Sequence, residues 1–275
     1  YMEMVANAQN NVGAAPSYTA EDIHKARDGS DPINFPDTNW ADLVLRRISP
    51  ITEHAISASG GNSIARFALS AQYLNQGALI KHDKAGFQRL TVRGNTSVNL
   101  TKKFTVYLDF FVGRDDQKES GVTTGSILDW MNRANPTIVG RYPAKEGYDY
   151  PLYGDFEQTR NPLANLEQGG YKQNLKDETL VNLRPMWVIN ENFTLKGQVG
   201  YRLSSRASIA NRETFPLTNY FTAETTNYIT AIKTPSIPQR STYYIAMGEL
   251  HYDKGFGRHN VSAVAGYSQE LETVV

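Results

Sequence analysis

From about residue 53 onward, apolar and polar residues alternate with a period of two. In 89–100, Leu90, Val92, Thr96, Val98 and Leu100 fall on one side, and Arg89, Thr91, Arg93, Asn95, Ser97 and Asn99 on the other. Successive side chains of a strand point to opposite faces, so this spacing predicts strands with one apolar and one wet face. The pattern returns in 104–113, where Phe104, Val106, Leu108, Phe110 and Val112 oppose Thr105, Tyr107, Asp109 and Gly113. In 193–204, Phe193, Leu195, Val199, Tyr201 and Leu203 oppose Thr194, Lys196, Gln198, Arg202 and Ser204. Ala65 to Tyr73 behaves likewise, and weaker strands are predicted at 53–59, 179–189, 242–252 and 259–270, with Pro185 expected to mark a bulge or weaken its strand. Most of these eight segments are long for a soluble sheet and suit a tilted crossing of a bilayer.

The connections alternate short and long: 60–63, 75–88, 101–103, 115–178, 190–192, 205–241 and 253–258. Tight turns on one side and elaborated loops on the other characterise up-and-down outer-membrane barrels. Loop 115–178 is rich in aromatics and is expected to be ordered, with a helix over 126–134 capped by Ser126. Before residue 53 the chain reads as a surface segment with short helices. One is capped by Thr19 with Asp22 three residues on and stopped at Gly29, and a second lies around Trp40 to Arg47.

Composition narrows the function. Lys plus Arg and Asp plus Glu are 28 each, so no overall field draws nucleic acid, and the absence of Cys excludes disulfides and thiolate chemistry. No stretch is apolar for the length a membrane helix needs, which leaves a closed barrel as the route across a bilayer. His24, His54, His82, His251 and His259 lack metal-ligand spacing, and no nucleophilic triad is visible. Asp115, Asp116 and Glu119 read as a solvated strand end, so no catalytic residue, cofactor or metal is expected. Trp130, Tyr142, Tyr148, Tyr150, Tyr153 and Phe156 have two possible roles, stacking on substrate or packing the loop and docking a partner, and packing is the plainer one. Arg66, Arg89, Arg93, Asp109, Arg184, Lys196 and Arg202 are expected on the lumen-facing side, where the cations meet either plug carboxylates or an acidic substrate.

YTAEDIHKARDGSDP and FPDTNW (18–40), HAISASGG (54–61), RFALSAQYLNQGALI (66–80) and FQRLTVRGNTSVNLTKKFTV (87–106) resemble the early barrel region of SusC-like (SusC/RagA) TonB-dependent transporters of Bacteroidetes. Beyond residue 110 the likeness is one of style. The resemblance implies an all-β fold: eight antiparallel strands of a larger, 22-stranded transmembrane barrel, with helices in long extracellular loops. It divides the chain into an extracellular segment, 1–52, and a partial barrel, 53–275, without the plug domain. It further implies an outer-membrane importer of oligosaccharides or peptides, covered by a SusD-like lipoprotein, driven by the TonB complex through the missing plug, and bounded by the lipid bilayer. Two other readings stand beside it: a self-contained eight-stranded barrel acting as an adhesin or small enzyme, and a soluble β-rich binding module.

Overall fold

The computed structural model describes residues 1–81, 85–154, 161–228, 232–235 and 238–275. Three helices come first: α1 (Met2–Asn11), α2 (Ala20–Asp28) and α3 (Trp40–Val44). The capping box of α2 forms as its sequence predicts. The Thr19 hydroxyl accepts from the Asp22 N–H and the Asp22 carboxylate accepts from the Thr19 N–H, while Gly29 closes the helix in the left-handed region.

The strands that follow are β1 (Ile51–Gly61), β2 (Ala65–Gly77), β3 (Gly86–Thr101) and β4 (Phe104–Ser120), then α4 (Thr124–Arg133) and α5 (Pro162–Gln168). Next come β5 (Tyr171–Val188), β6 (Phe193–Arg212), three short strands, β7 (Phe215–Thr218), β8 (Thr225–Tyr228) and β9 (Ile232–Pro235), and finally β10 (Gln239–Phe256) and β11 (His259–Val274). The eight long strands lie side by side in the order β1-β2-β3-β4-β5-β6-β10-β11, every pair antiparallel, with β9 added to β6. All eight predicted strands are present. Tight turns at 62–64, 102–103, 189–192 and 257–258 share one rim, and the long connections share the other. Among the described residues β1 and β11 do not pair, so the sheet is an open wall and does not close as an eight-stranded barrel.

The strands run further than their hydrophobic pattern. β4 continues to Ser120 and β5 starts at Tyr171, so the loop predicted at 115–178 spans 121–170; likewise β6 continues to Arg212 and β10 begins at Gln239, inside the loop predicted at 205–241. β1 starts at Ile51, ahead of the expected boundary at 53. Where both faces meet water, alternation of polarity vanishes while the ladder of backbone hydrogen bonds does not. Polar cross-strand bonds hold these extensions: Arg89 to Asp115 at 2.7 Å, Gln173 to Asp116 at 2.8 Å and Ser208 to Asn174 at 2.8 Å. Pro185 causes no register shift. β5 stays in register with β4 through it, and only the pairs at Arg184 and Pro185 drop out of the ladder with β6, where a proline ring replaces a donor beside Gly197. The helix expected at 126–134 begins earlier, capped by Thr123, whose hydroxyl accepts the Ser126 N–H.

Buried apolar side chains gather off the sheet, in a cap on the loop rim. Trp40, Ala134, Tyr153, Leu163, Ala164 and Phe215 form one cluster, and Val44, Ile80, Val122, Ile127 and Leu166 another. Asn161, buried, ties the long loop together: its Nδ2 donates to the Gly140 and Gly154 carbonyls at 3.0 and 3.1 Å, and its Oδ1 accepts from the Leu163 and Ala164 N–H groups that begin α5.

Candidate functional site

Register partners share a face of an antiparallel ladder, so the pairing assigns each side chain to one of two faces. One face reads Ile56, Ala71, Val92, Val112 and Thr179 across five strands. Nearer the turns it reads Phe104, Trp187, Leu195, Leu250 and Ala265. Its large apolar groups stand exposed, Ile56 at 74% and Val199 at 59%, which is the reverse of a soluble sheet that buries such a face. Aromatic residues collect toward both ends: Phe193 lies 4.9 Å from Tyr252 near the turns, and Tyr201 lies 4.9 Å from Tyr244 toward the loops. Above the apolar stretch of this face, Arg114 makes a bidentate pair with Asp177 at 2.7 and 3.0 Å. Phe104 and Arg114 bracket the apolar stretch, ten positions apart along β4. At about 3.3 Å per residue and a strand tilt of about 40°, that is about 25 Å of height, the thickness of the apolar band of a barrel in an outer membrane.

The opposite face is charged. Arg66, Arg89, Arg93, Asp109, Arg184, Lys196 and Arg202 all lie on it. Arg89 grips Asp115 at 2.7 and 2.9 Å, Arg184 reaches Asp109 at 2.6 Å, and Arg202 lies 3.9 Å from Glu272. Arg93 sits over the Phe111 ring at 5.2 Å, and Lys196 stands opposite Glu249. Arg66 has no ion pair among the described residues. Several of these cations are thus answered within the wall itself. The partners Asp115 and Glu272 were not legible as such along the chain, because they stand on other strands.

The loop aromatics divide. Trp130 packs against the second cap cluster and Tyr153 is part of the first. The Tyr153 hydroxyl donates to Glu167 at 2.7 Å, and burial, with the adjacent Glu167 carboxylate, pushes its ionisation well above the ordinary tyrosine value. Tyr148 and Tyr150 meet edge to face, and Tyr150 bonds to Thr218 at 2.9 Å. Tyr142 stacks on Tyr220 at 4.4 Å with Phe221 edge-on, and the Lys145 ammonium lies over Tyr220 at 4.8 Å. Tyr220 and Phe221 are candidates that the sequence reading missed; their signal is an aromatic pair inside a second long loop. Phe156 and His82 lie outside the described residues. Beside Tyr142 a cap groove of about 870 Å³ is lined by Asp37, Asn39, Asp42, Arg141 and Glu167 among others. Among the described residues no group of acidic and histidine side chains could hold a metal ion. The three acidic residues at the end of β4 are each engaged: Asp115 by Arg89, Asp116 by Gln173 and Lys118, Glu119 by Gln117.

A wall of antiparallel strands with an exposed apolar face, a charged face, tight turns on one rim and a folded cap on the other is a transmembrane β-barrel wall. The chain is similar to TonB-dependent receptor P3 of Formosa agariphila, 24% identical over 240 residues, covering 85% of this chain and 22% of that receptor. Its fold matches the RagAB peptide transporter with a TM-score of 0.64 at 15% identity, over 98% of this chain and 31% of that one. The closed-closed state of the RagAB peptide importer gives 0.63 at 15% identity, over 99% and 33%. No protein-family model matches the chain. The chain thus spans less than a quarter of the length of the receptor relative.

Proposed function

We propose that this chain forms part of the barrel wall and outer cap of a TonB-dependent importer in the outer membrane. In this reading the apolar face meets lipid, the charged face lines the aqueous lumen, and no covalent chemistry is performed. The observation that carries it is the separation of the two faces across eight strands over a band of bilayer thickness. The cap, with its aromatic groups and groove, is where a SusD-like lipoprotein and an oligosaccharide or peptide would be met. RagAB, whose fold this chain shares, is a peptide importer. TonB would supply the energy through a plug region.

The chain has no Cys, so single substitutions give clean reporters. Leu195→Cys and Lys196→Cys, compared in intact outer membranes, should differ: the membrane-impermeant thiol reagent labels position 196, and only a lipid-soluble reagent labels 195. Equal labelling of both by the impermeant reagent would remove the membrane reading and favour a soluble β-rich module.

A further inference from the structure

We infer that the charged face carries a carboxylate-binding subsite near its loop end, formed by Arg206 and Lys176, which takes an anionic group of the imported substrate; this rests on that face lining the lumen. Arg206 on β6 and Lys176 on β5 are register partners. Like charges directly opposite each other weaken a ladder unless something compensates them. The nearby carboxylates are already engaged. Asp115, the partner of Lys176 on β4, gives both oxygens to Arg89 at 2.7 and 2.9 Å. Glu178, two positions along β5, accepts from the Lys176 ammonium at 2.9 Å. Arg206 is exposed and has neither an ion pair nor a hydrogen bond from its side chain among the described residues. Three cations and two carboxylates leave the patch with one positive charge in excess.

Lys176 and Arg206 line a groove of about 480 Å³ whose walls include the Asp115 carboxylate, already held by Arg89, and the side chains of Gln117, Asn174, Ser208 and Gln239. Those four are neutral hydrogen-bonding side chains; Ser208 already donates to Asn174 and Gln117 to Glu119, so their remaining capacity and the Gln239 amide are what is left to hold the polar atoms next to an anchored carboxylate. A guanidinium presents its donors as a flat fork that matches a carboxylate. A single excess charge also suits a monoanion better than a phosphate ester, which carries nearly two charges at neutral pH. The carboxylate could be the C-terminus of a peptide or the acid of a uronic sugar.

The test uses the intact transporter carrying Ser204→Cys, a site on the same face two positions along β6 from Arg206, labelled with an environment-sensitive maleimide dye. Coupling of a water-soluble maleimide there in outer membranes checks the lumen reading separately. The probes are acetyl-octaalanine with a free C-terminus against its C-terminal amide, and trigalacturonate against its methyl ester. In at least one pair the acid should bind about tenfold more tightly than the neutral form, as charge-assisted hydrogen bonds require. A response in the peptide pair identifies a peptide terminus, and one in the sugar pair a uronate. Arg206→Gln should abolish the preference, Lys176→Gln should weaken it, and Lys102→Gln, on the opposite rim, should leave it intact. Coupling at position 204 without any acid preference, or a preference that survives Arg206→Gln, overturns the subsite while leaving the lumen reading in place.

Discussion

Tyr153 is one of six aromatic residues that the sequence offers for substrate contact, yet it is only 3% exposed and belongs to the cap's core. Its hydroxyl bridges to Glu167, which also meets Arg141 at 3.3 Å, so the ring fastens two parts of one long loop. Its folded ionisation lies above the unfolded value of 10.0. The stability it contributes is therefore fully present below that pH and is lost as pH rises above it, because only the unfolded chain gives up the proton easily. Protease nicking of the cap should accelerate above about pH 10 in the native protein. Tyr153→Phe should remove that step and lower cap stability at neutral pH by about 1 kcal/mol, the value of one hydrogen bond. An unchanged alkaline step in the variant would assign it to another group. Arg114 and Asp177 show how place decides the meaning of a charge: they lie on the apolar face, but beyond its apolar stretch, where their pair meets water.

At the scale of the strand, the meaning of a residue depends on its parity. Leu108 pairs with Thr96 and Leu183 on the apolar face, while Asn95 pairs with Asp109 on the charged one. An Arg or Lys facing lipid near the bilayer midplane of a barrel costs roughly 2 to 4 kcal/mol, and on the wet side little. Leu108→Arg should therefore reduce the heat-modifiable, folded protein recovered from outer membranes, and Leu195→Arg, at the turn-side edge of the band, should reduce it less. Asn95→Arg and Gln198→Arg should leave recovery near that of the parent. Equal losses on both faces would show that assembly does not depend on which face meets lipid. The strand extensions beyond the apolar band obey a different rule. There the ladder is kept by polar pairs such as Arg89 with Asp115, so no hydrophobic period marks their ends.

For the molecule as a whole, the decisive feature is that β1 and β11 are edges. A free edge of unpaired N–H and C=O groups is not tolerated in hydrocarbon, so in a bilayer both edges need further strands. Disulfide cross-linking reads this out. Ser57 and Ser70 are register partners on β1 and β2, and Cys at both should cross-link readily in the assembled protein. Cys at Ser57 and Ser262, on the two edge strands, should not. Efficient cross-linking of the second pair would mean that the sheet closes on itself as a small barrel. The cap on the loop rim belongs to this scale too, since it joins residues far apart in the chain: Thr38 donates to the Ile138 carbonyl at 2.6 Å, and the Trp40 indole to the Asn135 carbonyl at 3.0 Å.

The sequence by itself determined the two faces, the eight strands, the alternation of turns and loops, and the capping box of α2. Each follows from local geometry, because a strand repeats every two residues, a helix cap spans three, and a turn such as that at Gly257 needs a left-handed backbone over one or two positions. Only the tertiary structure decided where the strands end, that Pro185 sits in register, that Tyr153 is core and Tyr142 stacks on Tyr220, and that Arg89 and Arg184 are answered while Arg206 is not. Those facts depend on which strand lies beside which and on contacts across tens of residues. No local period records them, since the partner of a side chain across a ladder is set by register, and register is fixed only when the whole sheet assembles.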